Sequence, residues 1–199
     1  MFILSLPKIE PVPGLSLEQL LARRRSIRDY TAQPLTLAQV AGLLWAAEGI
    51  TAPPHLRTAP SAGALYPLQL YLVAGDVSGL APGVYRHLPD QCAIDLLAEG
   101  DRRRDLAAAA LGQSWLAEAP LALVFTARYA RTTWKYHQRG IQYVHIEVGH
   151  AAQNALLMAV ALNLGAAVVG AFNDERVAGV VGLNEEGTPL YLLPVGHPA

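Results

Sequence analysis

The sequence predicts a sandwich of helices and strands, of α/β or α+β class. Three observations carry that expectation. Apolar runs of strand length recur at 68–74, 121–127 and 190–195. Helix-opening signals fall between them. One long stretch, Gly140 to Leu164, has helical spacing and is apolar on most faces. No repeat or low-complexity linker divides the 199 residues, so they read as one domain, 1–199, with a sizeable core or one completed by dimerisation.

The elements follow in order. Residues 1–14 carry Pro7, Pro11, Pro13 and Gly14 and read as an extended arm. Ser16-Leu17-Glu18-Gln19 is a capping box opening a short helix to about Arg24. Thr36-Leu37-Ala38-Gln39 repeats the signal for a helix through Glu48, with Val40, Leu43, Leu44 and Ala47 on one face. Strands are expected at 68–74 and 83–87, then an Ala-rich helix capped by Asp101 and running to about Leu111. Leu121–Ala127 is a continuous apolar strand. The helix from Gly140 ends at Leu164, with Gly165 as its C-terminal cap. A helix apolar on most faces is buried on most faces, which suggests a central helix shared with a second subunit. A strand at Val168–Phe172, a short helix capped by Asn173-Asp174 and a last strand at Leu190–Val195 complete the chain.

Composition excludes several function classes. The net charge of −1 gives no field that gathers nucleic acid. Cys92 is the only cysteine, which rules out an internal disulfide and a cysteine-built metal site and fits a reducing cytoplasm. The apolar stretch 151–167 is interrupted by Gln153, Asn154 and Asn163, so no membrane span is expected. Met1–Leu6 is too short for a signal peptide. With 52% hydrophobic residues, the surplus apolar surface is assigned to a subunit interface or ligand site.

Four stretches could carry chemistry. In Arg23-Arg24-Arg25-Ser26-Ile27-Arg28, guanidinium forks and a hydroxyl converge at a helix end. That suits a phosphate clamp; it equally suits a solvated helix end stabilised by the helix dipole. Pro60-Ser61-Ala62-Gly63-Ala64 is a run of small residues before Tyr66-Pro67 and a buried strand. Small residues let a ligand approach the backbone amides, and Tyr66 offers an aromatic face. Together they suit a flat, polar-edged ring, or a tight turn packed under a helix. A phosphate clamp with a ring cradle points to a nucleotide-like cofactor, although neither GxGxxG nor GxxxxGK[ST] is present. Lys135-Tyr136 pairs an amine that loses its proton when desolvated with a hydroxyl able to relay one; the plain alternative is a surface lysine ahead of a helix. His145 and His150 lie five residues apart, about 140° around a helix, so they are not a metal pair, and no metal is expected.

RRSIRDY, TAPSAGALYPLQLYLV, KYHQRGIQYVHIEVGHAAQNALLMAVALNLG and PVGHP, taken together, resemble the nitroreductase superfamily and, more narrowly, the SagB-type dehydrogenases. The resemblance runs from about residue 20 to 198. It implies an FMN-dependent oxidoreductase with an α+β fold, a mixed, mainly antiparallel sheet and an intertwined homodimer holding two flavins at its interface. It assigns Arg24, Arg25, Ser26 and Arg28 to the FMN phosphate and ribityl chain. Pro60, Ser61, Ala62 and Gly63, with Tyr66, are placed beside the isoalloxazine, often from the other subunit. Val169, Gly170 and Ala171 cover the flavin near its reactive nitrogen. Lys135 and Tyr136 match the pair that assists proton removal in azoline-oxidising members. Many members continue with a basic tail that helps bind the phosphate; here His197 is the residue matched to that role. The expected substrate is a small molecule or modified peptide with an azoline-like C–N bond. The alternatives are an NAD(P)H-dependent nitro or quinone reductase and a flavin-binding protein with little turnover.

Overall fold

The computed structural model describes residues 2–53, 55–183 and 187–199. The chain opens with strand β1 (Phe2–Ser5) and helix α1 (Leu17–Arg23). Strand β2 (Leu35–Thr36) leads into helix α2 (Leu37–Glu48), and the short pair β3 (Ile50–Ala52) and β4 (Leu56–Arg57) precedes a tight 3-10 turn at Ala62–Ala64. Strands β5 (Leu68–Ala74), β6 (Val77–Ser78), β7 (Gly83–Leu88) and β8 (Ala93–Glu99) follow. Helices α3 (Arg103–Ala109) and α4 (Trp115–Glu118) bring the chain to β9 (Leu121–Ala127). Helix α5 (Ala130–Ala161), strand β10 (Gly165–Ala166), helix α6 (Asp174–Val181) and strand β11 (Thr188–Gly196) complete it.

The main sheet has seven strands in the order β1-β8-β7-β5-β9-β11-β10. All its neighbours pair antiparallel, and a parallel bridge from Ser26 to Ala166 extends the β10 edge. This is the α+β sandwich expected. Along β9, Leu121, Leu123, Phe125 and Ala127 join the core under α2 and α5, while Ala122 and Val124 join the core under α3, α4 and α6. A strand buried on both faces has no polar side, which explains its unbroken apolar run. Among the described residues no helix is long and apolar enough to cross a membrane.

Both capping boxes form. Gln19 N donates to Ser16 Oγ and Gln39 N to Thr36 Oγ1, with each glutamine side chain returning to the cap amide. Asn173 caps α6 by accepting from Arg176 N at 2.9 Å. Asp101 accepts from Arg103 N at 3.0 Å, but α3 ends at Ala109, short of Leu111.

Four further boundaries differ from expectation. The start of the arm is strand β1, paired with β8; the prolines from Pro7 onward cannot extend a ladder. Helix α5 begins at Ala130, well before Gly140, and is broken at His137, whose φ is 50° and ψ −138°. The break folds Thr132 and Thr133 back against Gly140, where a Cβ would meet their backbone at 3.0–3.1 Å. Gly165 is not the C-terminal cap. Asn163 takes the left-handed position (φ 57°), with Asn163 N bonding Val160 O and Leu164 N bonding Ala159 O, and Gly165 enters β10. Residues 168–172 do not form a full strand: Val169 alone bridges Leu192.

Candidate active site

Two clusters gather the residues singled out in the sequence. The first forms where α1 ends. Ser26 bridges Ala166 and Ile27 N donates to Ala166 O at 3.1 Å, which lays the Arg24–Arg28 segment along β10. Gly165 permits this approach, since a Cβ there would stand 2.6 Å from Ile27 Cγ2. Residues 197–199 close the cluster: Thr31 N donates to His197 O at 2.9 Å and Ala199 N to Asp29 O at 3.2 Å. A cleft of about 280 Å³ opens here, lined by Arg23, Arg25, Ile27, Asn163, Ala166 and Pro198.

The arginines are not equivalent. Arg25 turns its Nη1 back onto the carbonyls of Ala22 and Arg24, at 3.0 and 2.7 Å, and so caps α1. The Arg28 guanidinium lies 5.5 Å from the centre of the Trp115 ring. Among the described residues neither Arg24 nor Arg28 forms an ion pair. The His197 Nε2 atom is buried without a hydrogen-bond partner. From β10 the chain passes through buried Val169 to exposed Gly170; Gln113 Nε2 donates to Ala171 O at 3.1 Å. Gly170 borders a second cavity of about 440 Å³, into which Tyr129, His145, Asp174 and Tyr191 also face. The Tyr129 hydroxyl and His145 Nε2 lie 2.6 Å apart there, and burial raises the Tyr129 pKa.

The second cluster is built on the small-residue turn. Gly63 has φ 63°, and a Cβ there would stand 2.7 Å from Tyr136 Oη and 3.0 Å from Lys135 Nζ. Two side chains distant in sequence therefore converge on one stretch of backbone that only glycine leaves open. Ala64 (φ 52°) and Tyr66 (φ 46°) are left-handed too, so this turn carries strain. Ser61 Oγ accepts from Tyr66 N at 2.9 Å, and Ser61 O accepts from Ala64 N at 3.0 Å. Pro60, Ala62 and Gly63 remain at least partly exposed; the Tyr66 ring is buried, with the Arg57 guanidinium 4.8 Å from its centre.

The sequence places Glu147 on a mostly buried helix, but not the buried group it forms with Glu48 and Arg57. Glu48 and Glu147 are 1% and 3% exposed, and Glu48 pairs with Arg57. Burial pushes the Glu48 carboxyl up to about 7 against the pull of Arg57. Burial likewise raises Glu147 to about 7; Ser61 and the positive charges of Arg57 and Arg131 oppose the rise, and Glu48 adds to it. His87 is pushed down to about 4, by burial first and then by Arg57. The sequence did carry a signal. Glu147 shares a helix face with Val144, Val148 and Ala151, and Glu48 ends the apolar face of α2. Among the described residues, no group of three or more His, Cys, Asp or Glu side chains could hold a metal ion.

Residues 21–197 match the family model described as Nitroreductase family. The chain belongs to the nitroreductase family. A Methanocaldococcus jannaschii protein named as a nitroreductase is 44% identical over 194 residues, covering 98% of this chain and 96% of that one. A crystal structure described as a nitroreductase of Ralstonia eutropha is 30% identical, with a TM-score of 0.86, covering 99% of this chain and 90% of that one. The Escherichia coli microcin B17-processing protein McbC is 29% identical over 134 residues; the match spans 65% of this chain and 49% of McbC, about half its length. A chain of the E. coli microcin synthetase McbBCD complex, with truncated pro-MccB17 bound, superposes with a TM-score of 0.79 at 26% identity, covering 98% of this chain and 77% of that one.

Proposed function

We propose that this nitroreductase-family protein is an FMN-dependent dehydrogenase of SagB type, oxidising a saturated C–N bond in an azoline-like ring or a related small substrate. The observation that carries this reading is the convergence of Lys135 Nζ and Tyr136 Oη on the Gly63 backbone. A plain flavin reductase needs no such pair. The likeness to McbC, a microcin-processing protein, supports the same reading.

The residues present fit FMN. Among the described residues Arg24 and Arg28 form no ion pair, and His197 Nε2 is a buried polar atom lacking a hydrogen bond. Arg24, Ser26, Arg28 and His197 would hold the phosphate and ribityl chain, with Arg25 fixing the end of α1. Val169, Gly170 and Ala171 would lie along the ring, and Pro60–Gly63 would offer backbone to it, with Tyr66 supporting that turn from below. When bound, FMN supplies a two-electron acceptor for hydride. Exposed Lys135 and half-buried Tyr136, whose ring centre lies 5.3 Å from Lys135 Nζ, would take the proton that the substrate loses with that hydride.

The two clusters belong to different ends of α5. The first cleft is lined by Leu156–Leu164, while Lys135 and Tyr136 precede Gly140; Gly140 and Ala159 are separated by about 30 Å at the helical rise. We therefore place the complete site across a homodimer, with the Ser61–Gly63 turn of one copy facing the Arg24–Arg28 segment of the other. Trp134 before the His137 break and Ile146 after it are 68% and 46% exposed, apolar side chains available for that contact.

The test is anaerobic reduction of the purified yellow protein, followed by visible absorbance. An azoline-containing substrate should bleach it, NADH and NADPH should not, and Lys135→Ala should stay yellow while losing turnover. Rapid bleaching by NADPH, with Lys135→Ala as active as wild type, would instead make the protein a nicotinamide-dependent reductase. Protein that stays colourless after FMN is added would sink both enzymatic readings.

A further inference from the structure

The break at His137 joins two rings that a straight helix keeps apart. Tyr136 and Tyr143 are seven residues apart in sequence. In an unbroken α-helix that places them about 10.5 Å apart along the axis, two turns away from each other. Here their ring centres lie 5.2 Å apart and their planes cross at 81°, an edge-to-face contact. Tyr136 stands just before the break and Tyr143 in the long segment after it, so this contact spans the break. Both rings are half-buried. A cation flanks each ring: Lys135 Nζ lies 5.3 Å from the centre of Tyr136, and the Arg139 guanidinium 5.6 Å from that of Tyr143.

What the contact holds in place is the Tyr136 hydroxyl. A Cβ on Gly63 would stand 2.7 Å from that oxygen and 3.5 Å from Cε2 of the same ring. The hydroxyl is at the far end of a side chain with two soft torsions, so a swing about the first carries it away from Gly63. Lys135 is exposed and lies on the same side of the break as Tyr136, so it cannot tie the ring to the rest of the helix. Tyr143 lies on the other side and can.

We propose that Tyr143 is a positioning residue, which reaches across the His137 break and fixes the Tyr136 ring so that its hydroxyl stays on the Gly63 backbone. This role rests on the reading of Lys135 and Tyr136 as the proton-handling pair. Tyr143 acts through the Tyr136 ring, and it does so with its own ring, so its hydroxyl is dispensable.

The test uses the full-length protein supplied with FMN and carrying ring-labelled tyrosine. Nuclear Overhauser contacts are measured beside the rate of flavin bleaching by 2-phenylthiazoline, an azoline probe. The wild type should show contacts from the Tyr136 ring to the Tyr143 ring and to the Gly63 Hα. Tyr143→Phe keeps the ring and should keep the Gly63 contact and the bleaching rate. Tyr143→Leu should lose the Gly63 contact and slow bleaching about two- to tenfold, the worth of one aromatic pair, with the half-saturating probe concentration little changed. In a Tyr136→Phe background, Tyr143→Leu should slow bleaching no further, because no hydroxyl is left to aim. A merely structural Tyr143 would cost the same in both backgrounds. A Gly63 contact that survives Tyr143→Leu overturns the proposal, as does an undiminished loss of rate in the Tyr136→Phe background. If the contacts change as expected while the probe bleaches wild type no faster than Lys135→Ala, Tyr143 still fixes the ring and the dehydrogenase reading fails.

Discussion

Replacing Gly63 with alanine tests the centre of the proposed site with one methyl group. Two costs follow from the geometry. The first is conformational: at φ 63°, an L-residue costs about 1–2 kcal/mol more than glycine. In a chain of this length that lowers the melting temperature by about 2–8 °C. The second is steric. The new Cβ would stand 2.7 Å from Tyr136 Oη, about 0.7 Å inside ordinary contact, and 3.0 Å from Lys135 Nζ. Both atoms are at the ends of flexible side chains, so they move aside and little further stability is lost. Catalysis is less forgiving, because displacing a reacting group by about 1 Å costs up to about a hundredfold. Gly63→Ala should therefore melt within 8 °C of wild type, remain yellow and lose about tenfold to a hundredfold in kcat. Thermal melts and steady-state kinetics on one preparation decide it. A variant that loses the expected stability yet keeps kcat within about twofold would show that the convergence on Gly63 is not used in turnover.

Three further outcomes are expected. Gly165→Ala puts a Cβ 2.6–2.9 Å from the branched Ile27 side chain, which has little room to yield; it should displace Ser26 and Ile27 and weaken FMN binding, read by flavin fluorescence on titration. Glu48 and Glu147 have folded pKa values near 7 against an ordinary 4.5, so their stabilisation is full below pH 4.5 and lost as pH rises through 7; His87 runs oppositely, losing its share as pH falls from 6.5 through 4. Glu147→Gln should then reduce the fall in melting temperature between pH 5 and pH 8, and an unaltered fall would remove Glu147 from that balance. Light scattering on the eluted protein should give twice 21.3 kDa, and a monomer that still binds FMN and turns over would refute a site shared between copies.

Much of the fold was legible because its signals are local. The two capping boxes need only four residues each, and a strand buried on both faces, such as β9, has a continuous apolar run. Strand β8 was hidden because Asp95 faces inward, 3% exposed, where it pairs with Arg86 at 2.8 Å; a buried charge breaks the apolar pattern. The break at His137 falls at a residue with no helix-breaking chemistry of its own, and Thr132 and Thr133 close against Gly140 around it. The candidate site divided in the same way. The Arg24–Arg28 segment and the small-residue turn stand out by composition. The meeting of Gly63 with Lys135 and Tyr136 is a tertiary fact that no spacing encodes. The 145–150 stretch reads as polar groups on a mostly buried helix, satisfied by hydrogen bonds; Glu147 is buried as that reading expects, but its Oε1 has no hydrogen-bond partner.

The break at His137 has a consequence for how such a protein diversifies. An unbroken helix is a lever: any change in its seating shifts every side chain along its length. Here Lys135 and Tyr136 belong to the short segment before the break, while the residues that pack on the sheet and on α2 belong to the long one after it. Substitutions that retune the reactive end need not disturb the scaffold, and those that reshape the scaffold need not re-aim the reactive end. The two parts of one helix are free to evolve as separate modules.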